Sequence, residues 1–518
     1  MKINQRLTLC FSLLFCLLSI SYASAQQLNI SGVVISSEDN EPLIGATVSV
    51  KGNPTKGVIT DTNGQFQLSV ETGTKLLVVS YVGMKTQEIR VPRKEKELKI
   101  VLIPETMDID EVVVTGYGNF SKSSFTGSAN TLRTDMLKEV PVMSVEQKLQ
   151  GMTTGVQITS SSGQPGANQS IRIRGMGSFN ASQEPLFVID GVPVTSGSMS
   201  SGGPDAAYMN NSKTNIMSTL NPSDIENVTV IKDAAAASLY GSRAANGVIL
   251  ITTKKGQEGK AKVTISNSST FSKPFFMPKF QNRYGNQPNS FMSWGEEGTA
   301  TDYDPSSFFN TGTNIQNSVS LSVGNQKNQT YLSVGTTNAA GLIVDNEYNR
   351  YNFTVRNTTS FLNDKMTLDA GFSYIIQNDA NMIAQGQYFN PLSAVYLFPR
   401  GENFDSVRMF ETYDEGRKIN VQNWAWGTQS MSMQNPYWIA KKMNHGTKKQ
   451  RYMANASLKY QILDWLDVTG RVRIDNSTSD YEEKRYASTN TLFASETGFY
   501  RLNKTDDRQV YADIMANI

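Results

Sequence analysis

From residue 260 onward apolar and polar residues alternate in segments of about ten, the length a tilted strand needs to cross a bilayer. Eight such segments run over 261–271, 316–324, 330–338, 351–361, 367–376, 452–462, 467–476 and 509–518. Their connections differ in length: 325–328, 363–365 and 463–465 are tight, whereas 272–315 and 377–451 are long. Short turns on one side and long loops on the other are the pattern of a transmembrane β-barrel with its long loops outside the cell. Closure is what makes such a sheet possible in lipid, because it leaves no backbone group unpaired.

Composition removes several other classes. A net charge of +2 over 518 residues argues against a nucleic-acid partner. Residues 1–25 carry Lys2 and Arg6, an apolar run over 7–20, and Ala23-Ser24-Ala25, which together predict a secretory signal peptide cut after Ala25. The run is too short to span a bilayer. Both cysteines, Cys10 and Cys16, fall inside that peptide, so the mature chain is expected to hold no disulfide or thiolate metal site. The single histidine, His445, lies in a polar segment and reads as a solvated side chain. Without a nucleophile–base set the chain is not expected to be an enzyme, and no cofactor or metal is implied.

Residues 28–104 alternate with a period of two through Ile30, Val33 and Ile35, then Ala46, Val48 and Val50, Phe66 and Leu68, 76–81, Ile89 and Val91, and Ile100 and Leu102. Gly52-Asn53-Pro54 and 61–64 supply turns, which predicts a small antiparallel β-sandwich. Residues 105–110 form an acidic linker, and Glu111 to Thr115 read as a short strand able to add to a partner's sheet edge.

Residues 119–256 read as mixed α and β structure. Ser144 with Gln147 is a capping box before a short helix closed by Gly151. Asp190-Gly191 is a two-residue hairpin signal between 186–189 and Val192. Asn221-Pro222 opens another short helix before a strand at 228–232. Asp233 and Ala234 to Ala237 predict a helix ended by Gly241, 242–247 a polar turn, and 248–253 a continuous β-branched run that reads as a buried strand.

The stretches DEVVVTGYG (110–118), IRIRGMGS (171–178), PLFVIDGVP (185–193) and SLYGSRAANGVILITTKKG (238–256), in that order, resemble the SusC-like (SusC/RagA) TonB-dependent outer-membrane transporters. GATVSVKG and TDTNGQFQLSV, within 26–104, resemble the carboxypeptidase-regulatory-like domain that precedes the plug in many of them. The resemblance implies a mostly β chain: a signal peptide (1–25), a regulatory-like β-sandwich (26–104), a linker with the TonB box (105–118), a mixed α+β plug (119–256) and the first part of an antiparallel transmembrane β-barrel (257–518). A barrel that holds a plug needs about 22 strands. Eight segments, with Ile518 inside a strand pattern, therefore read as the N-terminal portion of a longer transporter.

The resemblance assigns TonB binding to Asp110, Glu111, Val112, Val113, Val114 and Thr115, and implies a SusD-like surface lipoprotein partner, contact with outer-membrane lipid, and import of oligosaccharides or peptides at the cell outer membrane. In the long loops, Trp294, Trp424, Trp426 and Trp438, with Tyr437, are candidate faces for a sugar ring, beside carboxylates such as Asp405, Glu411 and Asp414. The competing reading of these aromatics is packing of the loops or a membrane-interface belt, which also suits Trp465 in a short turn. Arg172, Arg174 and Arg243 read either as anion ligands or, the preferred expectation, as partners of acidic groups on the inner barrel wall. Two functional alternatives remain: a surface binding or adhesion protein without transport, and a truncated non-functional remnant.

Overall fold

The computed structural model describes residues 27–518 apart from 38–40, 72–73, 82–83, 93–96, 103–111, 116–117, 122–127, 134–144, 161, 168, 179–182, 195–215, 233–237 and 385. The expected signal peptide, Asp110, Glu111, Ser144 and Ala234 to Ala237 therefore lie outside the described residues. The chain divides into two compact units between Val112 and Val113.

In the first unit the alternating residues form two sheets. Strands β1 (Gln27–Ser36), β2 (Thr47–Val50), β3 (Asn53–Ile59), β4 (Gln65–Glu71), β5 (Leu76–Ser80), β6 (Gln87–Arg90) and β7 (Leu98–Leu102) order as β4-β1-β7 and β3-β2-β5-β6. Ile30, Val34, Val48, Phe66, Leu68, Leu77, Val79, Ile100 and Leu102 pack between them. Three expectations change. The β1–β7 pair is parallel, so the sandwich is not wholly antiparallel. Val34, not Val33, joins the core, because Ile30, Gly32 and Val34 share the inward face. Asn53 is already paired with Val50, so the turn is confined to Gly52 and its neighbour, and 53–59 is a strand that the Asn-Pro signal concealed. Gly32 is needed on β1, since a Cβ there would come within 2.2 Å of the Leu98 carbonyl oxygen.

The second unit begins with a hairpin of β8 (Val112–Thr115) and β9 (Gly118–Ser121). A five-stranded sheet follows, built from β10 (Ala129–Arg133), β13 (Leu186–Ile189), β14 (Val192–Val194), β15 (Ile225–Ile231) and β16 (Val248–Thr253) in the order β10-β15-β16-β13-β14. Helix α1 (Val145–Leu149) and the hairpin β11 (Val156–Ser160) and β12 (Gln169–Ile173) pack against it. Central β16 is antiparallel to β15 and parallel to β13, with Val248, Ile249, Leu250 and Ile251 all buried, which is why its sequence is apolar without alternation. Gly241 has φ +70° where the helix end was expected, and Gly241–Ala244 coil into a 3-10 turn.

The remaining strands form one sheet in chain order, every neighbouring pair antiparallel: β17 (Gly259–Ser272), β18 (Gly312–Gly324), β19 (Asn328–Ala340), β20 (Glu347–Phe361), β21 (Met366–Ala380), β24 (Met443–Leu463), β25 (Leu466–Arg485) and β26 (Phe499–Asn517). The small hairpin β22 (Glu411–Asp414) and β23 (Ile419–Gln422) and the helices α2 (Pro391–Tyr396) and α3 (Pro436–Lys442) lie in the long loop between β21 and β24. All eight expected segments are strands, but they run 13 to 21 residues, because the ladders continue beyond the lipid-facing alternation into polar sequence. Val263, Ile265, Val319, Val334, Tyr351, Phe353, Phe372, Tyr452, Val472 and Ile514 are exposed on the outer face, at alternate positions to buried polar residues such as Arg350, Asn352, Arg356, Arg451 and Arg473. This inside-out distribution is that of a transmembrane β-barrel wall. Five residues, 254–258, join the end of β16 to the start of β17.

Candidate functional site

The site is built where the mixed domain sits on the inner face of the barrel wall. Along β20, Tyr348, Arg350, Asn352, Thr354 and Arg356 occur at every second position and so share one face. They meet the segment formed by the 3-10 turns Ile216–Thr219 and Pro222–Asp224. Tyr348 Oη donates to the Ser218 carbonyl at 3.1 Å, Arg350 to the same oxygen at 2.6 Å, and Asn352 Nδ2 to the Thr219 carbonyl at 2.8 Å. Asp224 accepts from Tyr331 Oη of β19 at 3.0 Å and from Thr354 Oγ1 at 3.2 Å. The turn itself is set by Asn221, whose side chain caps Ser223 N at 3.1 Å, as the Asn-Pro pair predicts.

A second point of attachment is the β13–β14 turn. Asp190 (φ +49°) and Gly191 (φ +81°) both take left-handed backbone, the geometry that an Asp-Gly hairpin supplies. The Asp190 carboxylate accepts from Thr253 N at 2.9 Å and Thr253 Oγ1 at 2.8 Å, tying the turn to the end of β16. Across the boundary Arg356 approaches Asp190 at 3.1 Å and donates to Thr253 Oγ1 at 2.5 Å, while a two-toothed pair to Asp369 on β21, both bonds 2.8 Å, fixes its guanidinium. Lys255 closes the cluster on Asp369 at 2.7 Å.

Asp190 and Asp224, the plug carboxylates at this interface, differ in their electrostatics. Burial pushes Asp190 up, but Arg356 and the two Thr253 hydrogen bonds outweigh it and hold the carboxyl below its ordinary range. Asp224 has hydroxyl donors rather than a guanidinium, and burial leaves its carboxyl raised.

Further along the wall, Arg451 is held by Asp475 at 2.8 and 2.6 Å and donates to Thr219 Oγ1 at 2.7 Å, and Arg473 donates to the Ile189 carbonyl at 3.0 Å. Gln509 on β26 reaches the Pro193 carbonyl at 2.9 Å. Ile375 and Met453 are the wall's apolar contribution to the core that contains Ile189, Leu220 and Ile225. A polar gap of about 50 Å³, lined by Asp190, Asp224, Arg356 and Arg473 among others, leaves room for ordered water in this interface.

The expected polarity of the interface is therefore reversed. Arg172, Arg174 and Arg243 make no ion pair with the described wall residues; the arginines come from the wall, and the plug supplies Asp190 and carbonyl oxygens. The wall arginines went unnoticed in the sequence although a signal was present, since Arg350 and Arg356 have opposite parity to the outward Tyr351 and Phe353. Of the residues assigned to TonB binding, Val112, Val113, Val114 and Thr115 form β8, while Asp110 and Glu111 lie outside the described residues.

The loop aromatics separate into two groups. Trp438 is 1% exposed and donates from Nε1 to Thr489 Oγ1 at 3.1 Å, and Trp426 is 9% exposed against Phe291 and Phe398. Trp424 packs on Trp426 at 4.7 Å between ring centres, and Tyr437 on Phe308 at 5.1 Å. These four hold the long loops together. Trp294, 79% exposed, keeps a face toward solvent, as does Trp465 in its turn. Asp405 pairs with Arg408 and Glu411 with Lys442, and Asp414 caps its own turn at Gly416 and Arg417. His445 is not a solvated loop residue: it lies on β24, half-buried, with Nε2 2.8 Å from the Met382 carbonyl oxygen.

A mixed α and β domain seated by hydrogen bonds and ion pairs on the inner face of a sheet with an outward apolar band is the arrangement of a plugged β-barrel. Comparison with known proteins agrees. Residues 121–248 match the TonB-dependent Receptor Plug Domain family and residues 30–114 the CarboxypepD_reg-like domain family. The chain is 33% identical over 468 residues to the TonB-dependent receptor SusC of Bacteroides thetaiotaomicron, an alignment covering 85% of this chain and 43% of that protein. It is 38% identical over 256 residues to the TonB-dependent receptor P3 of Formosa agariphila, covering 49% of this chain and 23% of that one. Among solved structures, the RagAB peptide importer in its closed-closed state matches with a TM-score of 0.59 and 23% identity, over 76% of this chain and 45% of that chain. Over the length it spans, which is less than half of these relatives, the chain belongs with the SusC-like TonB-dependent receptors.

Proposed function

We propose that the chain works in TonB-dependent import of oligosaccharides or peptides across the outer membrane, together with a SusD-like surface lipoprotein. The observation that carries this reading is the attachment of the plug to the wall through Arg356 and Asp190. Wall contacts made mainly of hydrogen bonds and ion pairs can be exchanged for water one at a time, unlike an extended apolar interface. The domain is thus seated firmly yet remains movable by a pull applied at residues 110–115. Residues 1–25 act as the cleaved signal peptide, and the outward aliphatic band of the eight strands sits in lipid. The proton gradient of the inner membrane, delivered through TonB, supplies the energy. The similarity to receptors rather than enzymes supports a role without catalysis.

The test is deletion of residues 110–115 in cells that produce the receptor with its lipoprotein partner. Uptake of labelled substrate is expected to be abolished while surface binding is retained. Undiminished uptake would overturn the reading in favour of a binding or adhesion role.

A further inference from the structure

A cavity of about 590 Å³ opens between residues 162–165 of the plug, the loop-side ends of β17, β18 and β19, and Ile383, Ala384, Gly386, Asn390 and Leu392 of the long loop. That volume is in the range of a specific site for a small ligand or for one segment of a longer one. No charged side chain occurs among the described residues that line it. Its walls include Pro165, Phe309, Leu342, Ile343, Ile383 and Leu392.

The polar groups present are mostly spoken for. Gln164 uses both ends of its amide on one residue, accepting from Ile383 N at 2.6 Å and donating to Ile383 O at 3.0 Å. Asn390 caps Leu392 N at 3.0 Å, and Asn346 donates to the Asn381 carbonyl at 3.1 Å. What remains for a ligand is apolar surface, a few hydroxyls such as those of Thr270, Ser272 and Thr313, and the side-chain amide of Asn314. A sugar ring entering such a space would recover only a few of the hydrogen bonds it gives up to water, whereas an apolar group would gain by leaving water.

We infer that this cavity receives an uncharged apolar group of the transported ligand, an aliphatic or aromatic side chain on a short peptide, in preference to an unsubstituted oligosaccharide. The inference rests on the import reading above and narrows its substrate class. The Gln164–Ile383 clamp gives the site a further property. One wall of the cavity is plug and the other is loop, joined by two hydrogen bonds, so an occupant touches both partners of the clamp and its presence is registered at the plug directly.

The experiment is calorimetric binding to the purified full chain, with the blocked peptide acetyl-Gly-Leu-Gly-Leu-Gly-amide and with maltohexaose as probes. The peptide is expected to bind saturably and at least tenfold more tightly than maltohexaose. Two variants act by different means: Thr270→Trp fills the cavity from a half-exposed strand position, and Leu342→Asp places a charge in a neutral wall. Each is expected to weaken the peptide at least tenfold. Tighter binding of maltohexaose, no saturable binding of the peptide, or unchanged peptide affinity in either variant overturns the inference. Uptake of maltohexaose that depends on residues 110–115 would leave the import reading standing and sink only this one, whereas tight peptide binding with no uptake that depends on residues 110–115 would do the reverse.

Discussion

Arg356 of the barrel wall stands 3.1 Å from Asp190 of the plug while its remaining donors are engaged by Asp369 and Thr253. One guanidinium thereby connects two wall strands, the β13–β14 turn and the end of β16.

Removing that guanidinium leaves Asp190 and part of Asp369 buried without their partner, a change that costs about 3–5 kcal/mol when a buried pair is broken from one side. Arg356→Ala is therefore expected to lower the urea concentration at which the plug becomes protease-sensitive. Asp190→Asn alone is expected to do so less, since its amide oxygen still accepts from Thr253. Equal sensitivity of Arg356→Ala and the parent chain would show that the pair does not seat the plug.

The pH response of the interface should have two opposing parts. Asp190 has a folded carboxyl held below its unfolded value, so its contribution is present above the unfolded range and is lost as pH falls through the depressed folded value. Asp224 is raised on folding, so it favours the folded state at low pH and that advantage fades as pH rises through the raised value. Asp224→Asn is accordingly expected to stabilise the seated plug at neutral pH and to have little effect in acid, with Asp190→Asn destabilising at neutral pH. Urea midpoints recorded from pH 3 to pH 8 on the two variants check the signs.

The loop aromatics should respond to mutation according to burial. Trp438→Ala opens a hole in a packed loop core and is expected to cost about 3–5 kcal/mol. Trp294→Ala touches an exposed ring, and its effect on stability is expected to stay within about 0.5 kcal/mol. Thermal unfolding of the two variants distinguishes them, and a ligand affinity that falls in Trp294→Ala alone would place that ring in substrate capture.

In the first unit, Gly32→Ala drives a methyl group to within 2.2 Å of the Leu98 carbonyl oxygen and 2.9 Å of the Phe66 ring, inside van der Waals contact with both. Forcing the parallel β1–β7 pair apart is expected to destabilise this unit by about 1–3 kcal/mol. A calorimetric trace in which its transition keeps the parent temperature would refute the packing described.

Much of this was legible in the residues. The strand 248–253 falls where its β-branched run does, and Asp190-Gly191 and Asn221-Pro222 form the turns their chemistry dictates, because each is decided within a few neighbours. Eight wall strands were visible for the same reason, since outward Tyr351 and Phe353 alternate with inward neighbours. The parallel partner of β1 and the pairing of Asp190 with Arg356 were not, because both depend on which distant segments meet, and local pattern carries no information about that. Burial of Trp426 and Trp438 belongs to the same category: a tryptophan reads alike in a loop whether it faces a ligand or another loop.

The five residues between β16 and β17 set a mechanical limit on any transport cycle. Even drawn straight, six steps from Thr253 to Gly259 reach only about 20 Å. In the resting state this leash is also knotted down: Lys254 N holds the Asp224 carbonyl at 2.8 Å, and Gln257 N holds Ser322 Oγ at 2.9 Å. In the proposed import cycle, force arriving at residues 110–115 therefore peels the plug from the wall toward a fixed edge. The passage so made opens like a door hung on β17, not like a stopper leaving a bottle.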